Sequence, residues 1–123
     1  MSVGKTVVVL GASLNPDRYA YKAIVMLKEY GHRVIPVNPA IDTILDVPVV
    51  PSLDKIDEAV DTVTVYLGPA RSEALVDGIL ALNPKRVILN PGAESELLSQ
   101  KLKTAGIPVV EGCTLVMLRT GQF

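Results

Sequence analysis

The chain has 123 residues, of which 49% are hydrophobic, and its 12 lysines and arginines nearly balance 13 aspartates and glutamates. This length predicts one domain over residues 1–123, and the hydrophobic fraction is high enough for a packed core rather than disorder. The lack of a basic excess argues against a nucleic-acid partner, and the apolar runs fall far short of the roughly 20 residues that span a membrane.

Five short runs rich in valine and isoleucine predict β-strands, each followed by a stretch of different character. Four of the runs are almost continuously apolar, which is typical of parallel strands that are covered on both faces. The second run contains Pro36, which has no backbone donor, so we expect this strand to lie near an edge of the sheet. The predicted strands span residues 6–10, 33–37, 62–67, 86–89 and 108–110.

Helices are predicted between these strands from the spacing of apolar residues and from stop signals. Residues 20–30 place their apolar side chains on one face before Gly31 ends the helix. Residues 95–105 begin at a capping serine and end at Gly106. The remaining predicted segments are a helix over 70–82, a weaker helix over 53–59, and a short closing helix or arm over 113–123.

This alternation predicts a doubly wound, mostly parallel five-stranded α/β sheet with helices on both faces, in a single Rossmann-like domain. In such a sheet, ligands bind beyond the carboxyl ends of the strands. The segments that leave the strands are therefore the candidate ligand-binding loops. Small residues, asparagine and proline gather in them, in GASLNPDRYAY, NPA, GPAR, NPGAES and EGCT.

The loop after the first strand is the strongest candidate for an anion site. Gly11 permits a tight turn, Ala12 and Ser13 are expected to present backbone N–H groups, and the next helix adds a partial positive charge at its start. The dinucleotide pattern G-x-G-x-x-G is absent, since Gly11 is the loop's one glycine. The pattern favours a phosphate site, and a glycine that merely lets a helix pack on the sheet is the alternative.

Side chains near this loop bear on which nucleotide it would suit. The second strand ends in Asn38 and Pro39, without the acidic residue that usually contacts the ribose of NAD. An uncharged end suits a nucleotide whose ribose is itself phosphorylated. Arg18, just before the helix, could pair with a phosphate in a bidentate manner, and Lys22 and Arg71 are further candidate cations. For Arg18, a solvated loop arginine is an equally good interpretation.

The segments VVVLGASLNPDRYAYKA and GHRVIPVNP together resemble the small Rossmann-type CoA-binding proteins. These are similar to the CoA-binding domain of the succinyl-CoA synthetase alpha subunit, and the resemblance covers nearly the whole chain. It implies coenzyme A as the cofactor, with a site for its ADP half. By analogy, that site comprises Gly11, Ala12 and Ser13 at phosphate with Arg18 and Lys22 nearby, Asn38 and Pro39 beside adenosine, Leu67, Gly68 and Pro69 along the groove, and Gly92 near the pantetheine path.

The sequence offers no complete catalytic set. His32 is expected as a surface turn residue at the amino end of the second strand, away from the predicted site. Cys113 follows the fifth strand, and it is either a packed thiol or one that lies near the CoA thiol. No cluster of residue types indicates a metal site. The synthetase reaction uses a phosphorylated histidine in another domain, so the resemblance favours a protein that is not a complete ligase, and enzymatic activity stays open.

Three functions therefore remain open from the sequence. The first is a CoA or acyl-CoA binding protein that is non-catalytic on its own. The second is an NAD(P)-type oxidoreductase or a subunit of an acyl-CoA enzyme, and the third is a degenerate Rossmann domain that binds other proteins. A partner protein or a homo-oligomer is compatible with each. A lone cysteine and an N-terminus without a signal-peptide hydrophobic region predict a cytoplasmic location.

Overall fold

The computed structural model describes residues 4–123, which form one five-stranded sheet, a small hairpin and five α-helices. A single 3₁₀ turn covers Leu53–Lys55. In chain order the other elements are β1 (Thr6–Leu10), α1 (Tyr19–Glu29), β2 (Arg33–Val37), β3 (Thr43–Ile44), β4 (Val47–Pro48), β5 (Thr62–Val65), α2 (Pro69–Glu73), α3 (Val76–Leu82), β6 (Arg86–Leu89), α4 (Glu96–Thr104), β7 (Val109–Glu111) and α5 (Thr114–Arg119).

The main sheet has the strand order β2-β1-β5-β6-β7, and all its neighbouring strands run parallel. β1 is an interior strand next to the edge strand β2, and from β1 the chain extends first to that edge through β2 and then to the other edge through β5, β6 and β7. The carboxyl ends of β1 and β5 therefore lie side by side where the strand order reverses, which is where ligands bind in open α/β sheets. The predicted Rossmann-like fold is confirmed.

Pro36 lies in β2, at an edge of the main sheet as its sequence context indicates. Its carbonyl accepts a hydrogen bond from the amide of Val50, 2.9 Å away, on the side facing away from β1. A residue's N–H and C=O share one side of a strand, so the donor that proline lacks would also point outward. The ladder to β1 is complete without it.

Two side-chain clusters fill the space between the sheet and its helices. On one face, Val8 and Leu10 of β1 pack with Leu98 and Leu102 of α4. On the other face, Val7 and Val9 pack with side chains of α1 and α5, among them Ile24, Leu27 and Leu118. The alternation along β1 explains why its whole apolar run is buried, and burial on both faces fixes its carboxyl end in place.

Several elements differ from the sequence prediction. The third strand of the main sheet ends at Val65 rather than at residue 67, because its neighbours in register, Leu10 and Leu89, are themselves the last residues of their strands. The weak helix over 53–59 is only the 3₁₀ turn. The β3–β4 hairpin was not predicted, since its turn places Leu45 and Asp46 at φ of 50° and 64° without the usual asparagine or glycine signal.

The predicted helix over 70–82 is two helices, α2 and α3. The break falls at Leu75, whose φ of −104° and ψ of 7° leave helical geometry and whose side chain is exposed. Ser72, Val76 and Ile79 are nevertheless all buried. Their spacing of four and three residues keeps helical periodicity across the break, so periodicity alone cannot reveal it.

The C-terminal segment closes the amino edge of the sheet after α5 has packed on α1. The Phe123 carbonyl accepts hydrogen bonds from the Lys5 ammonium and the Arg86 guanidinium, and its ring lies 5.0 Å from that of His32. His32 is half-buried, and burial, with the nearby cations Lys5 and Arg86, lowers its pKa. His32 is thus at the amino end of β2 as expected, but it packs against Phe123 rather than lying free on the surface.

Candidate functional site

A cleft of about 540 Å³ opens at the carboxyl edge of the main sheet, between the loop after β1 and the segment after β5. We refer to it as the carboxyl-edge cleft. Its volume lies within the range of about 300–1,000 Å³ that is usual for small-molecule sites. The residues that line it are Gly11, Ala12, Ser13, Asp17, Arg18, Tyr19, Ala20, Asn38, Tyr66, Leu67, Arg71 and Pro91.

The cleft brings together part of the residue set that the sequence suggested. The suggested residues that line it are Gly11, Ala12, Ser13, Arg18, Asn38 and Leu67. The suggested residues outside its lining are Lys22, Pro39, Gly68, Pro69 and Gly92. The Lys22 ammonium lies 5.4 Å from the ring centroid of Tyr19, which does line the cleft.

Gly11 shapes the wall of the cleft directly after β1. Its φ is +93°, which disfavours residues with a side chain. A Cβ at this position would lie 2.9 Å from Leu67 Cδ2 and 3.3 Å from the carbonyl carbon of Tyr66. The absence of a side chain therefore permits both the turn and the close approach of the segment after β5.

Two residues of the β1 loop that line the cleft have backbone donors without an intramolecular partner. Within residues 4–123, the amides of Gly11 and Ser13 donate to no acceptor, and neither does that of Leu14, which lies outside the lining. The expectation that Ala12 also offers its amide is wrong, because that amide donates to the Val37 carbonyl at 3.2 Å. The loop can thus present two N–H groups to an anion, next to the first turn of α1 with its partial positive charge.

Asn38 holds this loop against the end of β2. Its Nδ2 donates to the Ala12 carbonyl at 2.8 Å, and its Oδ1 accepts from the Ala40 amide at 2.8 Å. The Ala12 amide also donates to the Val37 carbonyl, so both the N–H and the C=O of Ala12 are held by hydrogen bonds. Asn38 is therefore a positioning residue for the β1 loop.

Charged side chains reach the cleft from two sides. Arg18 is the residue that precedes α1 and has extended backbone geometry, while Arg71 comes from α2 on the opposite wall. Neither arginine forms an ion pair in the part of the chain that the structure describes. The one ion pair found there joins Arg33 to Glu58. Asp17 adds one carboxylate, so the charged lining is positive by one unit.

Tyr66 is a lining residue that sequence reasoning missed, because it was counted inside the third strand of the sheet. Its hydroxyl is buried near the hydroxyls of Thr64 and Thr114, yet it has no hydrogen-bond partner within residues 4–123. Burial raises the pKa of Tyr66 to about 12, and the two threonines offset only part of that effect. The phenol therefore stays protonated near neutral pH and keeps an O–H that can donate a hydrogen bond.

A buried network behind Tyr66 joins β5 and β6 to the start of α5. Asn90, 2% exposed, donates from Nδ2 to Thr64 Oγ1 at 2.7 Å and to the Val65 carbonyl at 2.9 Å. Its Oδ1 accepts from the Thr114 amide at 2.9 Å, and the hydroxyls of Thr64 and Thr114 are 2.7 Å apart. This one side chain therefore satisfies the first backbone donor of α5, which would otherwise be buried without a partner.

Replacing Tyr66 by phenylalanine is expected to stabilise the chain by about 1 kcal/mol, since it removes a buried hydroxyl without a partner. The pKa of Tyr66 is higher in the folded chain than the unfolded value near 10, so the native protein loses stability as pH rises from about 10 towards 12. Tyr66→Phe should reduce that alkaline loss.

Denaturant unfolding between pH 7 and 11.5 measures both effects, with Tyr30→Phe as the matched control at a half-exposed tyrosine. A loss of stability in Tyr66→Phe at pH 7 would contradict the expectation, because it would mean that the hydroxyl has a stabilising partner.

Other groups with reactive chemistry lie away from the cleft lining. Cys113 is half-buried, directly before α5, and is not among the lining residues. Within residues 4–123 there is no group of three or more histidine, cysteine or carboxylate side chains placed to hold a metal ion. The helices of this part of the chain are also too short or too polar to cross a membrane.

These features define a Rossmann-like α/β domain with a candidate anion site at its carboxyl edge. Comparison with known proteins is more specific, since the model of the CoA binding domain family matches residues 5–119. The chain belongs to this family.

Several relatives are similar to the chain over most of its length. The uncharacterised protein YneT of Bacillus subtilis is 31% identical over 106 residues, which is 86% of this chain and 78% of that protein. One uncharacterised protein of known crystal structure is 43% identical, with a TM-score of 0.93, and 99% of this chain and 100% of that one are covered. A solved Thermus thermophilus protein is 36% identical, with a TM-score of 0.89 and coverage of 98% and 91%.

Proposed function

We propose that the chain binds coenzyme A or an acyl-CoA, with the diphosphate of the ADP half at the loop after β1. The observation that carries the proposal is the pair of unengaged amides, of Gly11 and Ser13, in the cleft of a chain that belongs to the CoA binding domain family. Backbone donors of a loop that lies beside the N-terminus of a helix can bind phosphate without a specialised side chain.

The charges around the cleft support this orientation of the ligand. CoA carries phosphate on its ribose as well as in its diphosphate, and Arg18 and Arg71 approach from opposite walls without ion-pair partners in the described chain. A guanidinium can bind phosphate in a bidentate manner. We assign Arg18 to the ribose 3′-phosphate, since it directly precedes α1, and Lys22, one turn further along, to a supporting position.

The remaining predicted residues extend the proposal beyond the lining of the cleft. Pro39 would border the adenosine next to Asn38, and Gly68 with Pro69 would flank the groove after β5, where Leu67 already lines the cleft. Gly92, after β6, would lie near the pantetheine path. Tyr19, 66% exposed at the mouth of the cleft, offers an aromatic face on that same side.

We further propose that the chain carries or senses CoA rather than transforming it on its own. The titratable side chains among the lining residues are Asp17, Arg18, Tyr19, Tyr66 and Arg71, so the described lining offers neither a histidine nor a thiol as base or nucleophile. The hydroxyl of Tyr66 has a pKa of about 12 and would not act as a base at neutral pH.

Titration calorimetry with CoA, dephospho-CoA and NADP⁺ tests the proposed function. We expect CoA to bind most tightly, dephospho-CoA more weakly, and NADP⁺ weakest of the three. Heat with NADP⁺ but not with CoA would favour a dinucleotide-dependent enzyme, and the absence of binding to all three would favour a protein-interaction module.

Replacing Arg18 by alanine is expected to weaken CoA binding about tenfold, or about 1.4 kcal/mol, and dephospho-CoA binding by much less. The difference arises because dephospho-CoA lacks the phosphate that Arg18 is proposed to contact. The same calorimetric series measures it, with Arg119→Ala on α5 as the control. Equal losses for the two ligands would remove Arg18 from the 3′-phosphate.

A further inference from the structure

A second concave surface lies on the far side of the sheet from β2, between α4 and the outer edge of β7. This β7 groove has a volume of about 600 Å³. It shares no lining residue with the carboxyl-edge cleft. The groove is lined by Glu94, Ser95, Glu96, Ser99, Gln100, Lys103, Val109 and Glu111.

Ser99 is an unusual residue in this lining. It is 8% exposed, and its Oγ is buried without a hydrogen-bond partner in residues 4–123. A buried hydroxyl without a partner costs about 1–3 kcal/mol, so natural proteins rarely retain one. A polar group that entered the groove would supply the missing partner.

The backbone of β7 also offers unused hydrogen-bonding groups to the groove. The Pro108 carbonyl and the Gly112 amide bond to β6, at 2.9 Å and 3.1 Å. Because neighbouring residues of a strand face opposite sides, the N–H and C=O groups of Val109 and Glu111 face the outer edge. β7 is the last strand of the sheet, and no strand of the described chain pairs with that edge.

The charges of the groove indicate what would bind there. Three carboxylates, of Glu94, Glu96 and Glu111, surround one ammonium group, that of Lys103, which leaves the lining negative by two units. A second copy of this chain paired edge to edge would bring the same negative lining against it. A positively charged segment would instead be attracted.

We propose that the β7 groove binds an extended, lysine- or arginine-bearing segment of a partner protein, which adds to the sheet as a strand beside β7. Its backbone would pair with Val109 and Glu111, which is the mode of strand addition. Side chains alternate along a strand, so every second one would face α4 and the turn before it, where Glu94, Glu96 and Ser99 lie. This inference is independent of the proposed CoA site.

The test uses the full chain and two synthetic peptides, one with alternating lysine and valine and one in which glutamate replaces each lysine. Amide NMR spectra and hydrogen exchange are recorded during each titration. With the lysine peptide we expect the amides of Val109 and Glu111 to shift and to exchange at least about tenfold more slowly. The glutamate peptide should leave both unchanged.

Charge-reversal variants distinguish electrostatic recognition in the β7 groove from non-specific binding of the peptide. Glu111→Lys is expected to weaken the lysine peptide at least about tenfold, whereas Glu29→Lys at the end of α1 should leave binding unchanged. Ser99→Ala should fold normally and bind more weakly.

Equal response to both peptides, or shifts confined to the carboxyl-edge cleft, would overturn the proposal. Concentration-dependent protection of Val109 and Glu111 without peptide would also overturn it, because the occupant would then be a second copy.

Discussion

Gly11→Ala is expected to lower the free energy of unfolding by about 2 kcal/mol and to weaken CoA binding at least about tenfold. About half of the stability loss comes from placing alanine at a φ of +93°. The rest comes from the new Cβ, which would lie 2.9 Å from Leu67 Cδ2. The end of the Leu67 side chain can move, but it lines the cleft, so the site would change shape.

Gly92 provides a matched control for the backbone contribution. Its φ is +91°, almost that of Gly11, and a Cβ there meets no atom within 4 Å. Gly92→Ala should therefore lose only about 1 kcal/mol. Chemical denaturation of both variants separates strain from contact. Equal losses of stability in the two variants would show that the close approach of Leu67 does not constrain Gly11.

Asn90→Ala is expected to cost about 3 kcal/mol, or roughly 10 °C in Tm. The substitution removes both hydrogen bonds that Nδ2 donates and the Oδ1 that accepts from the Thr114 amide. It also leaves a buried cavity, since Asn90 is only 2% exposed. Because that amide lies at the start of α5, we also expect faster hydrogen exchange over residues 114–119.

Thr114→Val is the matched variant for this network. It removes the hydroxyl that pairs with Thr64 Oγ1 but leaves the hydrogen bond from the Thr114 amide to Asn90 Oδ1 intact. We expect a loss of about 1 kcal/mol with α5 still protected. If Asn90→Ala were no more destabilising than Thr114→Val, or if α5 kept its protection in both, Asn90 would not be what holds the helix.

The positions of the main strands in the sequence are predictable because the apolar runs that mark them are a consequence of burial. The apolar runs at Thr6–Leu10 and Arg86–Leu89 are buried on both faces, and their limits coincide with the strands. The break at Leu75 and the β3–β4 hairpin are different in kind. They depend on backbone angles at single residues, and neither changes the pattern of apolar residues.

The site shows a similar division. The position of Gly11 after the first strand predicts a turn at the carboxyl edge, since that follows from the topology. The engagement of the Ala12 amide by Val37 and the entry of Tyr66 into the cleft depend on where neighbouring strands end. Such register is set by the assembled sheet and not by any local stretch of sequence.

The most direct test of the central claim is an amide NMR titration of the full chain with adenosine 3′,5′-bisphosphate, CoA and pantetheine. We predict that the amides of Gly11 and Ser13 are among those that shift most with CoA, that adenosine 3′,5′-bisphosphate reproduces part of these shifts, and that pantetheine does not. CoA binding that leaves both amides unmoved would contradict the assignment of the β1 loop as its phosphate site.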